Sequence, residues 1–257
     1  MKSKDFVQKM PKELDQFIPG HSVDCVIIGF EQEVLKILIL KLKSKDDLWV
    51  LPGGFIFDNE DLDIAAIRVL KQRTGLELPY LEQFKTFGKA GRRDSKAIMK
   101  HLESYGLKGN ITAWFTQRFI TTGYVSLVDI DKCDPKADLY DEKAKWVAID
   151  ELPDLIFDHN DIVKTAIGFV KNQINYLPIG LTLLPEKFTM KKLQSLYESI
   201  LERKLDRGNF QRKMLKLDIF NRHEKQLEGG AHKAPYLYSF DEEKYKELLE
   251  QGFGFNS

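Results

Sequence analysis

The sequence predicts an α+β fold in two parts: a mixed sheet with helices, then a smaller helical unit that carries a hairpin. Three observations lead there. Two β-branched, aliphatic segments, SVDCVIIGF and VLKILILKL, flank the polar triplet EQE, which is the pattern of a β-hairpin. Apolar residues at helical spacing follow over residues 61–74, and strand-like and helical runs then alternate to about residue 175. Past that point NYLPIGLTLLPEKFT is punctuated by Pro178, Gly180 and Pro185, and the chain becomes helical and basic. The expected division is an arm over residues 1–20, a sheet domain over 21–176 and a second domain over 177–257.

The elements follow in order. LWVLPGG is a third strand, ended by Pro52 and the Gly pair. Leu62, Ala65, Ala66, Val69 and Leu70 share one helical face, and Gly75 is the stop. LEQFKTF, RFITTGYVSLVDI and KAKWVAI are strands, and the polar interval at residues 89–117 holds one short helix over 96–105. HNDIVKTAIGFVKNQI is a helix with Asn160 as its N-cap. Residues 189–203 and 206–220 form two helices, NRHEKQLEGGAHKAPYLYSFD a Gly-tipped hairpin, and DEEKYKELLEQ a last helix.

Composition narrows the classes. At 257 residues, 43% hydrophobic and 30% charged, the chain has the make-up of a soluble globular protein, and its zero net charge points to no partner. Cys25 and Cys133 are far apart, which argues against a disulfide framework or a cysteine zinc site and fits a reducing cytoplasm. The opening MKSKDFVQKMPKELDQF lacks the apolar core of a signal peptide. No apolar run reaches the roughly 20 residues that span a bilayer. A cytoplasmic protein without membrane partners is expected.

Gly54, Glu60, Arg68, Leu70, Gly75 and Leu76 stand at the spacing G-x5-E-x7-R-E-U-x-E-E-x-G-U, with U aliphatic. This segment resembles the Nudix box, and the resemblance extends over about residues 20–175, implying a Nudix-like α/β/α sandwich with a mixed sheet. In the family, the glutamates of this helix face hold divalent cations against a pyrophosphate. Here the face carries Val69, Gln72 and Arg73. Positions i, i+3 and i+4 share a side of a helix, and magnesium needs carboxylate oxygens there. No catalytic residue, metal ligand or cofactor is therefore expected, and the chain reads as a non-enzyme. Asp58, Asp61 and Asp63 around Glu60 suit a helix N-terminus as caps and dipole complements. The alternative is that they relocate the metal site, giving a Nudix hydrolase for a nucleoside diphosphate derivative. Glu60 is expected to accept hydrogen bonds or pair with a cation, with Arg73 as the suggested partner.

A Nudix fold without its ligands keeps a cleft for a small-molecule effector. Lys89, Arg92 and Arg93 suit a phosphate or a hydroxyl-rich ligand, or else form a solvated loop. Asp158 and His159 open a helix near the expected cleft, where the histidine is either a ligand contact or a buried structural group. Trp49 and Tyr124 are core residues or an aromatic wall for a sugar ring. The effector-binding candidates are thus these seven with Glu60 and Arg73.

Residues 187–233 carry twelve Lys and Arg against six Asp and Glu, a basic patch in a neutral chain. Phe210, Met214, Leu217 and Ile219 face the core at helical spacing, leaving Arg207, Asn209, Arg212, Lys213 and Lys216 outward. Arg and Asn near a helix N-terminus pair with base edges in a major groove. Lys192 on the preceding helix, Lys225, and the hairpin tip Gly229, Gly230, His232 and Lys233 add phosphate contacts, glycine allowing close approach. The arrangement resembles a winged helix-turn-helix. The open alternatives are a solvated face, or a surface for an acidic protein or RNA.

A degenerate Nudix domain followed by residues 183–241 of this kind is similar to the Nudix-related transcriptional regulators of bacteria. That resemblance implies homodimers on palindromic double-stranded operators and an effector such as ADP-ribose or arabinose. Nothing in the sequence reads adenine, which favours a sugar or sugar phosphate over an ADP-ribose-like ligand. The interval at residues 89–117 is longer than the family pattern, and NYLPIGLTLL is the expected moving joint.

Overall fold

A computed structural model of the chain describes residues 14–44, 46–77, 80–92, 95–104, 109–137, 141–177, 179–225 and 234–251. They form two compact units. The first holds the chain up to Ile28, Ile37–Ser126 and Cys133–Ala166; the second holds Gly29–Lys36, Leu127–Lys132 and the chain from Ile167 onward.

The sheet is built on the expected hairpin, β1 (Phe17–Glu31) and β2 (Val34–Leu42). Gln32 and Glu33 between them have φ of 53° and 64°, the left-handed pair whose twist suits a two-residue turn. β3 (Trp49–Val50), β4 (Gly53–Phe57), β5 (Tyr80–Phe87), β6 (Ile120–Leu127) and β7 (Asp141–Ala148) complete seven strands in the order β3-β2-β1-β6-β5, with β4 on β1 and β7 on β2. Val23 and residues 25–28 of β1 and residues 37–40 of β2 are almost wholly buried, so these central strands read as continuous apolar runs.

LWVLPGG is two strands rather than one. Pro52 separates them, and the Gly pair opens β4 instead of closing β3. A Cβ on Gly53 would stand 2.5 Å from Asp24 Oδ1 and 2.9 Å from the Val23 carbonyl, and one on Gly54 would stand 2.7 Å from Val69 Cγ2. The glycines let β4 lie close to β1 and to the helix that follows.

That helix, α1 (Leu62–Thr74), buries Ala65, Ala66, Val69 and Leu70 and ends as expected at Gly75, φ 74°, whose N–H donates to the Lys71 carbonyl. The polar interval holds two helices where one was expected, α2 (Ser95–Ser104) and α3 (Asn110–Thr116). α4 (His159–Asn172) starts one residue before Asn160, so Asn160 is not its N-cap. Its side chain accepts from Leu155 N–H at 2.7 Å and donates to the Pro153 carbonyl at 3.1 Å, tying down the preceding turn.

In the second unit, α5 (Ile179–Leu183), β8 (Phe188–Thr189), α6 (Met190–Leu201), α7 (Arg207–Lys216), β9 (Phe220–Lys225), β10 (Tyr236–Phe240) and α8 (Glu242–Gln251) follow, with the three strands ordered β8-β10-β9. Thr189 caps α6 by accepting from Lys192 N–H, and Asp206 caps α7 by accepting from Asn209 N–H. α7 is shorter than expected: it ends at Lys216, and Asp218 (φ 54°) turns the chain into β9. Phe210, Met214 and Ile219 are buried and Leu217 is half-buried, as the periodicity required. From Ile179 on, the expected joint is core of this unit. Ile179, Leu183 and Leu184 are buried, and a Cβ on Gly180 would stand 2.2 Å from the Phe240 ring.

Candidate effector site and nucleic-acid interface

On α1 the three positions where the family pattern has glutamates carry other groups. Val69 is 1% exposed, Gln72 is exposed, and the Arg73 guanidinium is buried against Asp141, Nη1 to Oδ2 2.6 Å. Among the described residues no group of three or more His, Cys, Asp and Glu side chains is placed to hold a metal. Glu60 is paired, but not with Arg73. Arg68 donates to it twice, Nε to Oε1 at 2.7 Å and Nη2 to Oε2 at 2.8 Å, and Phe57 N–H adds a third bond. The Arg68 hydrogen bonds hold the Glu60 carboxyl below its ordinary range. The suggested Arg73 pairing fails because Arg73, in the last turn of the helix, meets β7 instead.

Three of the expected effector residues come together. Arg92 sends Nε to Asp158 Oδ1 at 2.8 Å and Oδ2 at 3.0 Å, Nη1 to the Phe119 carbonyl at 3.1 Å and Nη2 to Asp24 Oδ2 at 3.2 Å. Its side chain is 7% exposed. Beside it, His159 Nδ1 accepts from Leu51 N–H at 3.0 Å, which places the ring proton on Nε2, 3.7 Å from Asp24 Oδ1. Burial pushes the His159 pKa down, against the pull of Asp24. This is a buried charge network that joins β1, the turn before α2, the β3–β4 corner and the start of α4.

The other candidates stand apart from it. Tyr124, 2% exposed, donates to Asp63 at 2.5 Å, and burial raises its pKa. Trp49 is buried, its Nε1 donating to Asp47 at 3.1 Å and its ring facing the Lys143 ammonium. Lys89 is exposed, and Arg93 lies outside the described residues. Sequence reasoning missed Asp24, Asp141, the pairing of Arg68 with Glu60 and an aromatic cluster in which Phe55 lies 4.5 Å from Trp114 and 5.3 Å from Phe119. Asp24 left a signal, a single acid inside the apolar run SVDCVIIGF.

In the second unit α7 turns Phe210 and Met214 inward and leaves Arg207, Asn209, Arg212 and Lys216 exposed. Asn209 Oδ1 accepts from Arg212 Nη2 at 2.5 Å, so the two side chains are held side by side. Lys213 and Lys192 are half-buried, and Lys225 is exposed at the end of β9. Gly229, Gly230, His232 and Lys233 lie outside the described residues. Glu198 braces the turn between α6 and α7, accepting from Leu205 N–H, Gln194 Nε2 and Lys204 Nζ, each at 2.9 Å.

Comparison with known proteins gives both parts a family. The NUDIX domain model matches residues 19–166, and the NrtR DNA-binding winged helix domain model matches residues 180–240. The chain is 28% identical to the ADPR responsive transcriptional repressor NtrR of Acinetobacter baylyi, across 88% of this chain and 84% of that protein. The crystal structure of Shewanella oneidensis NrtR matches with a TM-score of 0.67 at 22% identity, covering 88% of this chain and 96% of that one. The crystal structure of the same protein complexed with a 27mer DNA matches with a TM-score of 0.65 at 25% identity, over 88% and 95% of the two chains. The expected architecture, a NUDIX sandwich with a mixed sheet followed by a winged helix, is the one the chain has.

Proposed function

This chain belongs to the NUDIX family and joins to its NUDIX domain a winged helix of the NrtR type, and from that premise we propose that it is an effector-responsive transcriptional regulator. The carrying observation is α7, which presents Arg207, Asn209, Arg212 and Lys216 to solvent while Phe210 and Met214 anchor it. A helix of this make-up reads base edges with its N-terminal residues and phosphates with its cations. Lys192, Lys213, Lys225 and the tip residues Gly229, Gly230, His232 and Lys233 extend the interface. The partner is a palindromic double-stranded operator bound by a homodimer.

The effector belongs to the ADP-ribose class. The sequence alone leaned to a plain sugar or sugar phosphate, but the A. baylyi relative is named for its response to ADPR, and that tips the choice. The ligand lies in the NUDIX domain, near the Arg92–Asp158–His159 network and the exposed Lys89. It regulates by binding operator-competent and operator-incompetent states with different affinity. The domain is not a magnesium hydrolase of the usual kind, because Val69, Gln72 and Arg73 replace the carboxylates such chemistry needs.

Fluorescence anisotropy on the duplex upstream of the chain's own coding sequence, against a scrambled duplex, tests the reading. Preference for the native duplex, steep salt dependence and a shift with ADP-ribose but not arabinose are expected. Arg212→Ala weakens operator binding by about 1–3 kcal/mol and leaves ADP-ribose binding intact. Equal binding to both duplexes, or no ligand effect, overturns the proposal.

A further inference from the structure

β9 and β10 bring two cations onto one aromatic ring. The Arg222 guanidinium carbon stands 3.5 Å from the centre of the Tyr236 ring, and the Lys225 ammonium 5.1 Å from it. In a regular strand, residues three apart point to opposite faces. Here the pairing of the strands slips: Tyr236 is opposite Lys225 but Tyr238 is opposite Arg222, a register shift that puts one extra residue in β9. This irregularity lets both cations reach one ring. Tyr236 is 37% exposed, a large aromatic side chain left at the surface. Arg222 and Lys225 are exposed as well, and neither makes an ion pair among the described residues.

We propose that Arg222 and Lys225, stacked on Tyr236, are a preformed clamp for the backbone phosphates of double-stranded DNA. It rests on the reading of this unit as a DNA-binding winged helix. Stacking leaves the in-plane N–H edge of the guanidinium free, and that edge matches two phosphate oxygens. The ring also restricts the rotamers of two long side chains before DNA arrives, so less freedom is lost on binding. Tyr236 is a positioning residue; the cations make the contact. Two adjacent cations three residues apart suit two successive phosphates of one strand, and such contacts set register without reading sequence.

The experiment is a salt titration of operator binding by fluorescence anisotropy, using the full chain, its own upstream duplex and a scrambled duplex. Arg222→Ala lowers affinity about tenfold and reduces the slope of log K against log salt by about 0.9, one phosphate contact. Tyr236→Leu weakens binding several-fold with the slope unchanged, since both charges remain. Tyr236→Phe keeps the stack and binds as the wild type does. Unfolding midpoints of all three stay at the wild-type value, because the side chains are exposed. The clamp is overturned if Arg222→Ala leaves the slope unchanged, or if Tyr236→Leu binds as tightly as the wild type. If the wild type itself shows no preference for its upstream duplex and no salt dependence, the DNA-binding reading falls as well. Wild-type binding with indifferent variants removes the clamp alone.

Discussion

Three arginines of the first unit and four exposed cations of the second are used in opposite ways. In the first, Arg68 closes on Glu60, Arg73 on Asp141, and Arg92 on Asp24 and Asp158, all at 3.2 Å or less. In the second, Arg207, Lys216, Arg222 and Lys225 close on no carboxylate among the described residues. The zero net charge of the whole chain hides this division. Buried in low dielectric, a guanidinium must be matched by carboxylates and its donors filled, and it then joins distant segments of the fold. At the surface an unmatched one costs little and stays available for a polyanion. The kind of residue does not separate the two roles; the carboxylates around it do. Arg92, chosen from sequence for its place in a basic loop, proves to be matched in this way.

The largest expected effect tests that contrast directly. Arg92→Met leaves Asp24 and Asp158 without their cation and should cost about 3–5 kcal/mol of stability, as breaking a buried pair does. Arg207→Ala on α7 should change stability by no more than about 0.5 kcal/mol, because it empties only solvent-facing space. Urea unfolding of the two variants beside the wild type measures both. Similar losses for the two would erase the distinction, whatever their size.

This division also marks what the sequence made legible. The hairpin, α1 and its stop at Gly75 were readable because each depends on local periodicity or on one residue's backbone freedom. The inward face of α7 was readable for the same reason. The partners of the buried charges were not. Arg73 lies 68 positions from Asp141, and Arg92 lies 66 from Asp158 and 68 from Asp24. No periodicity encodes such pairings; only the sheet topology brings them together. The Gly pair was misread as a stop because the crowding that requires it comes from Asp24 and Val69, across the fold. α3 escaped notice because NITAWFT is seven residues long, rich in β-branched and aromatic residues, and has no side-chain cap. Asn160 had the right residue type for a cap but was drawn to the Leu155 turn.

A smaller effect comes from one matched acid of the basic unit. Glu198 accepts three hydrogen bonds at the turn between α6 and α7, and these, led by the one from Leu205 N–H, lower its pKa from 4.5 to about 2. Since the folded-state pKa is depressed, the stabilisation is present above about pH 4.5 and is lost as pH falls towards 2. Lys204 is almost fully exposed, so the Leu205 amide rather than the ion pair carries most of it. Glu198→Gln should cost about 1–2 kcal/mol at neutral pH, the scale of a charge-assisted hydrogen bond. It should also weaken operator binding by loosening the seat of α7. Urea midpoints from pH 5 to 2 should fall less steeply in the variant than in the wild type; parallel curves would remove Glu198 from the account.

The smallest effect belongs to His159, the neutral member of the buried network. Burial lowers its pKa below the ordinary 6.5, and the Arg92 charge acts in the same direction, while Asp24 and Asp158 oppose them. The unfolded chain therefore takes up a proton at a higher pH than the folded one. Stability is full above about pH 6.5 and declines below it until the folded-state pKa is reached, with a slope of at most about 1.4 kcal/mol per pH unit. Protonation also removes the Nδ1 acceptor from Leu51 N–H, so the β3–β4 corner should loosen first. His159→Gln keeps an acceptor but cannot titrate. Between pH 7 and 5 its unfolding midpoint should hold more nearly constant than that of the wild type, and amide exchange at Leu51 should lose its pH sensitivity beyond the intrinsic rate. If the wild type is as flat as the variant, the folded imidazole takes up its proton over the same pH range as the unfolded one, and burial does not keep His159 neutral.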